Sequence, residues 1–124
     1  MFNRRKRRKA IPVNNIAHLR DLASEGKPVL VDFWQTGCGP CRIMDGIVDE
    51  IADEYGDTAH VVKVDVGRAH GAVSEFGIRS TPTFLVLSGE GGSKLRPRWR
   101  QSGLVKKDQL GKVLEREGAV RVDA

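Results

Sequence analysis

Apolar positions fall into runs of two kinds along the chain. Val29, Leu30, Val31 and Phe33 are apolar without strict alternation, the pattern of a strand covered on both faces. Val61, Val62, Val64 and Val66 repeat that pattern, and Phe84–Leu87 gives a third run. Helical spacing marks other stretches. Ile16, Leu19, Leu22 and Ala23 form one stripe, with Asn14 or Asn15 as its cap. Ile43, Ile47, Ile51 and Tyr55 recur at steps of four, and Leu110, Val113 and Leu114 mark a last helix over 106–117. A short helix is expected over 68–76. Ala10–Val13 reads as an edge strand, because Pro12 has no N–H to donate. Lys94–Ser102 alternates, with Lys94, Arg96, Arg98 and Arg100 on one side and Leu95, Pro97 and Trp99 on the other. It reads as the returning strand of a hairpin whose turn, Ser88–Ser93, is rich in glycine. The order predicts an α/β sandwich with a central mixed sheet, helices on both faces and right-handed crossovers.

With 124 residues the chain is read as one domain. No apolar run approaches the roughly 20 residues a helix needs to span a bilayer. No secretory leader is visible, so a cytoplasmic location is expected. The formal charge of +5 comes from one run, Arg4-Arg5-Lys6-Arg7-Arg8-Lys9. Without those six residues, 15 basic groups face 16 acidic ones. The expected organisation is a basic, disordered arm over 1–9, a domain over 10–118 and a tail over 119–124. The arm solubilises the chain or meets an acidic partner, nucleic acid or an anionic surface. With Phe2 as its lone aromatic, base stacking is disfavoured.

Both cysteines, Cys38 and Cys41, lie between the central strand and the second helix. A bridge closing so short a loop removes little chain entropy, so its use is chemical. A free thiol titrates near 8.5, whereas the first turn of a helix offers unpaired N–H groups and a positive dipole end. Cys38, just before that turn, is the expected attacking thiolate, and Cys41, one turn in and more buried, the resolving thiol. Gly39 and Pro40 suit the turn between them. Asp32 interrupts the apolar strand. Burial raises a carboxyl pKa, which makes Asp32 the candidate proton acceptor for Cys41; the alternative is a hydrogen-bonded structural carboxylate.

Val31–Trp34, the Cys38-Gly39-Pro40-Cys41 tetrad and Asp49–Tyr55 together resemble bacterial thioredoxin, and the likeness extends over residues 10–118. It implies a thioredoxin fold, α/β, with a mixed sheet of four to five strands and about four helices. It implies reduction of protein disulfides, no bound cofactor, and electrons from NADPH through a thioredoxin reductase. A monomer acting on disulfide-containing proteins is expected. Asp32 matches the family's aspartate beneath the second cysteine, and Lys63 its buried lysine paired to that aspartate. Thr81-Pro82-Thr83 matches the cis-proline loop, whose residue before the proline pairs with substrate as an added strand. Gly103 matches a glycine that lets substrate approach, and Trp34 a tryptophan packed under the active-site loop. Lys63 as an exposed strand residue, Pro82 as a turn proline, and structural roles for Gly103 and Trp34 remain alternatives.

The departures are Gly37, where thioredoxins carry tryptophan, Gly46, where they carry a kinking proline, Arg42 for lysine, and a longer hairpin. Loss of the tryptophan removes docking area and bears on partner range and reductase recognition. Two other readings compete. A metal module would need four ligands, yet His18, His60 and His70 stand at no finger spacing from the cysteines. A non-catalytic adaptor would use the same fold to bind a specific acidic partner through the arm or the basic hairpin.

Overall fold

A computed structural model describes residues 7–92 and 94–122. Nine elements follow in order: β1 (Ile11–Pro12), α1 (Ile16–Ala23), β2 (Val29–Trp34), α2 (Gly39–Tyr55), β3 (His60–Asp65), α3 (His70–Phe76), β4 (Thr83–Leu87), β5 (Pro97–Ser102) and α4 (Lys107–Arg116). The sheet runs β1-β3-β2-β4-β5. The first three are parallel neighbours, and β4 and β5 add antiparallel. β2 is central, as its unbroken apolar run requires, and every residue from Val29 to Phe33 is buried. β1 pairs with β3 at the edge, where the missing N–H of Pro12 is harmless.

Alternation along β2 divides the core. Val29, Val31 and Phe33 face α1 and α3, packing with Leu19, Leu22, Ala72 and Phe76. Leu30 faces α2 and α4 with Val61, Phe84, Met44, Val48, Leu110 and Leu114. By the same period, Asp32 and Trp34 of β2 and Lys63 of β3 lie on the α2 side. Each helix therefore closes one face, and the chemistry of the chain is confined to one of them.

Three expectations need correction. Ile43 does not join the inward stripe of α2; it is 62% exposed. The buried stripe is Cys41, Met44, Val48, Ile51, Ala52 and Tyr55. Steps of four overshoot a 3.6-residue turn, so a stripe of that period winds around the helix, whereas mixed steps of three and four stay on one face. The hairpin strand begins at Pro97, not Lys94, and its alternation breaks because the register shifts between Val86 and Leu87. Leu95 therefore packs with the α1–α3 cluster and Trp99 with the α2–α4 cluster. The expected basic face dissolves with it. Arg98 pairs with Glu117, the C-cap of α4, while Arg100 donates to the carbonyls of Phe76 and Gly77 at the end of α3.

Asn15, rather than Asn14, caps α1, its Oδ1 accepting from the His18 N–H. The segment after Gly118 is anchored as far as Val122: Ala119 is buried, Val120 N–H donates to Thr58 and Val122 N–H to Glu54. Of the basic arm, Arg8 lies against α2, bonded to Asp53 and Asp57. Residues 1–6, Ser93 and 123–124, with the parts of the arm, turn and tail expected there, lie outside the described residues.

Candidate active site

Cys38 is the N-cap of α2, with Gly39 and Pro40 forming its first turn. That turn has N–H groups without helical partners, so proline loses nothing there. The two sulfurs are joined in a disulfide with the Cα atoms 5.3 Å apart. The Cys41 N–H donates to Cys38 Sγ at 3.2 Å. Cys38 is therefore the sulfur that the helix end serves: a charge placed on it meets a backbone donor and the positive end of the α2 dipole. Both cysteines are nearly enclosed, Cys38 at 8% exposure and Cys41 at 4%.

Three loops share one end of the sheet, where Phe33 pairs with Thr83 and Thr83 with Ser102. Gly37 precedes Cys38 with φ 81°, a left-handed backbone that disfavours any side chain. The Thr81–Pro82 peptide, before β4, is cis, with Pro82 buried. The Gly103 N–H, after β5, donates to the Pro82 carbonyl at 2.9 Å, tying those two loops together. Thr83 secures the same corner, its hydroxyl donating to the Ser80 carbonyl at 2.7 Å. Leu104, next to Gly103, is 55% exposed and, like Ile43, leaves a large apolar side chain in solvent.

Under α2, Asp32 is 1% exposed, and its Oδ1 has no hydrogen-bond partner among the described residues. Burial pushes its carboxyl from the ordinary 3.8 up to about 7; Lys63 pulls it down, and Asp45 and Asp49 push it further up. Lys63 stands opposite Asp32 in the parallel register. The ion pair expected between them is not the one formed. Lys63 Nζ donates instead to Asp45 Oδ1 of α2 at 2.6 Å and lies 5.3 Å from the centre of the Trp34 ring. Trp34 is thus partly buried beside the lysine. Sequence reasoning passed over Asp45, which sits in no motif; its spacing of four from Cys41, which puts both on one helix face, was the available signal. Ile43, which its step of four places in the inward stripe, and Leu104, which sits in no motif, are both exposed; the mixed three-four stripe from Cys41 to Tyr55 is the signal that sets Ile43 apart.

The described residues contain no group of three or more His, Cys, Asp or Glu able to hold a metal ion. No helix among them is long and apolar enough to cross a membrane.

A family model described as Thioredoxin matches residues 9–116. Thioredoxin 1 of Nostoc sp. is 37% identical over 107 residues, covering 86% of this chain and 95% of that one. The M-type chloroplastic thioredoxin of Chlamydomonas reinhardtii is 45% identical over 83 residues, 67% of this chain and 59% of its own length. Among solved structures, a point mutant of the thioredoxin from Halobacterium salinarum superposes with a TM-score of 0.78 at 25% identity, over 93% of this chain and 96% of that one.

Proposed function

The chain belongs to the thioredoxin family, and from that premise we propose how its own residues divide the work of disulfide exchange. Members of the family are thiol–disulfide oxidoreductases that reduce protein disulfides and carry no bound cofactor, and this chain is one of them. Cys38, as thiolate, attacks one sulfur of a substrate disulfide; the other sulfur leaves, and a mixed disulfide joins Cys38 to the substrate. Cys41 then gives its proton to the Asp32 carboxylate, and its thiolate attacks Cys38 Sγ. The Cys38–substrate bond breaks as the Cys38–Cys41 bond forms, and the substrate's second sulfur leaves as a thiolate that takes up a proton. Two electrons have passed from the dithiol to the substrate.

The observation that carries this assignment is the 3.2 Å bond from the Cys41 amide to Cys38 Sγ at the start of α2. It distinguishes the two sulfurs, since one caps the helix and the other lies inside it. Asp32 supports the second step because a carboxyl titrating near 7 can accept a proton from a thiol and return it at neutral pH. Gly37, Thr81, Pro82 and Gly103 shape the substrate groove, the Thr81 backbone pairing with the substrate chain. Gly39 and Pro40 hold the turn, and Trp34 and Lys63 flank the buried carboxyl. Ile43 and Leu104 supply apolar contact where Gly37 offers none.

Reoxidised protein is recharged by a thioredoxin reductase using NADPH, the protein acts as a monomer, and it resides in the cytoplasm. The divisions of the chain, an arm over 1–9, a domain over 10–118 and a tail over 119–124, belong to the same proposal. Insulin reduction driven by dithiothreitol tests the chemistry. Wild-type protein is expected to be active, and Cys38→Ser inactive. Cys41→Ser is expected to accumulate a mixed disulfide with substrate. Trapping of substrate on Cys41 in Cys38→Ser would reverse the assignment. Replacing dithiothreitol with NADPH and a bacterial thioredoxin reductase then tests the electron source; activity lost only there would point to a dedicated reductase.

A further inference from the structure

Lys63 and Asp32 are cross-strand neighbours on the face that α2 covers. A buried carboxylate beside an ammonium would ordinarily take it as partner, and an ion-paired carboxylate is a poor proton acceptor. Here the ammonium is engaged elsewhere. Asp45 binds it at 2.6 Å from α2, the Trp34 ring lies 5.3 Å from it, and Asp32 Oδ1 is left without a hydrogen bond among the described residues. Asp45 is half-exposed and Lys63 half-buried, so the pair sits at the rim of the site, where one partner remains solvated.

We propose that Asp45 is a positioning residue for the resolving step: by holding the Lys63 ammonium from α2, it withholds that cation from Asp32 and leaves the carboxylate free to accept a proton. This rests on the reading of Asp32 as the proton acceptor for Cys41. The charged groups around Asp32 are few. Lys63 faces it from β3, and Asp45 and Asp49 face it from α2. On the β4 side its register partner is Phe84, which carries no charge. Asp49 accepts from the Ala10 N–H at 3.1 Å. Asp45 therefore acts on Asp32 in two ways, as a like charge and as the anchor of the opposite charge, and the second is the one proposed.

Titration of the Asp32 carboxyl carbon by 13C NMR, on the reduced full chain, separates them. Asp45→Ala is expected to lower the Asp32 midpoint by about one pH unit or more, as Lys63 turns to it. Asp45→Glu, which keeps the anchor, is expected to leave the midpoint within a few tenths of a unit. In a Lys63→Gln background the effect of Asp45→Ala is expected to fall to less than half, because only the like charge remains. No shift in Asp45→Ala, or an equal shift with and without Lys63, overturns the proposal. The pH profile of insulin reduction should move with the carboxyl midpoint. If the midpoint moves and the profile does not, Asp32 is not the proton acceptor, and the hold of Asp45 on Lys63 still stands.

Discussion

Asp32→Asn should make the protein more stable and a poorer catalyst, and the gain in stability should depend on pH. The folded carboxyl titrates at about 7 against 3.8 ordinarily, a rise of about three units. Between those two values the folded chain holds a proton that the unfolded chain has released. Stability therefore falls as pH rises through that window and is flat on either side of it. At 1.36 kcal/mol per unit, ionising Asp32 in place costs about 4 kcal/mol by the time pH exceeds 7. Asparagine keeps the shape and never ionises. The variant's advantage should thus grow by about 3 kcal/mol between pH 5 and pH 8.5. Urea unfolding of oxidised wild type and variant at both pH values measures it, since the titrating groups that do not interact with Asp32 cancel in the difference. Turnover in the insulin assay should fall by about 100-fold or more with the proton acceptor removed. A stability gap that is the same at both pH values would refute the reasoning: the desolvated charge of Asp32 would not then be what the fold tolerates for the sake of the chemistry.

Two glycines where an added methyl group would meet open space should respond oppositely to alanine. Gly46 lies in the exposed interior of α2, so Gly46→Ala should raise stability by up to about 1 kcal/mol in urea unfolding. Gly37 has φ 81°, so Gly37→Ala should lower stability by about 1–2 kcal/mol although the new methyl touches nothing.

How far the residues themselves announced this arrangement depends on the range of the interaction concerned. The β2 run and the Cys38–Cys41 tetrad are local signals, and both landed where expected. Asp32 was legible because a carboxylate in an apolar strand is conspicuous in one dimension. The cis geometry at Pro82 was reachable only through resemblance, since Thr-Pro-Thr alone is compatible with an ordinary turn. The partner of Lys63 was not legible. Asp45 lies on another element, and nothing in a linear pattern says which of two carboxylates an ammonium will choose. The faces of Leu95 and Trp99 were misread because a register shift opposite Val86 and Leu87 moves alternation out of phase without any mark in the hairpin strand itself. Ile43 was misread for an arithmetical reason, a four-residue period taken for a 3.6-residue one.

The bond from the Cys41 amide to Cys38 Sγ has a use beyond catalysis. A backbone proton whose acceptor is the reacting sulfur carries a record of that sulfur's state. A thiolate accepts strongly, whereas a sulfur in a disulfide accepts weakly. The Cys41 amide resonance therefore separates chains with a free Cys38 thiolate from those whose Cys38 is held in a disulfide, without any reagent touching a thiol. One 15N-labelled position makes the protein its own redox gauge, readable in a crowded mixture where alkylating probes would react with every thiol present.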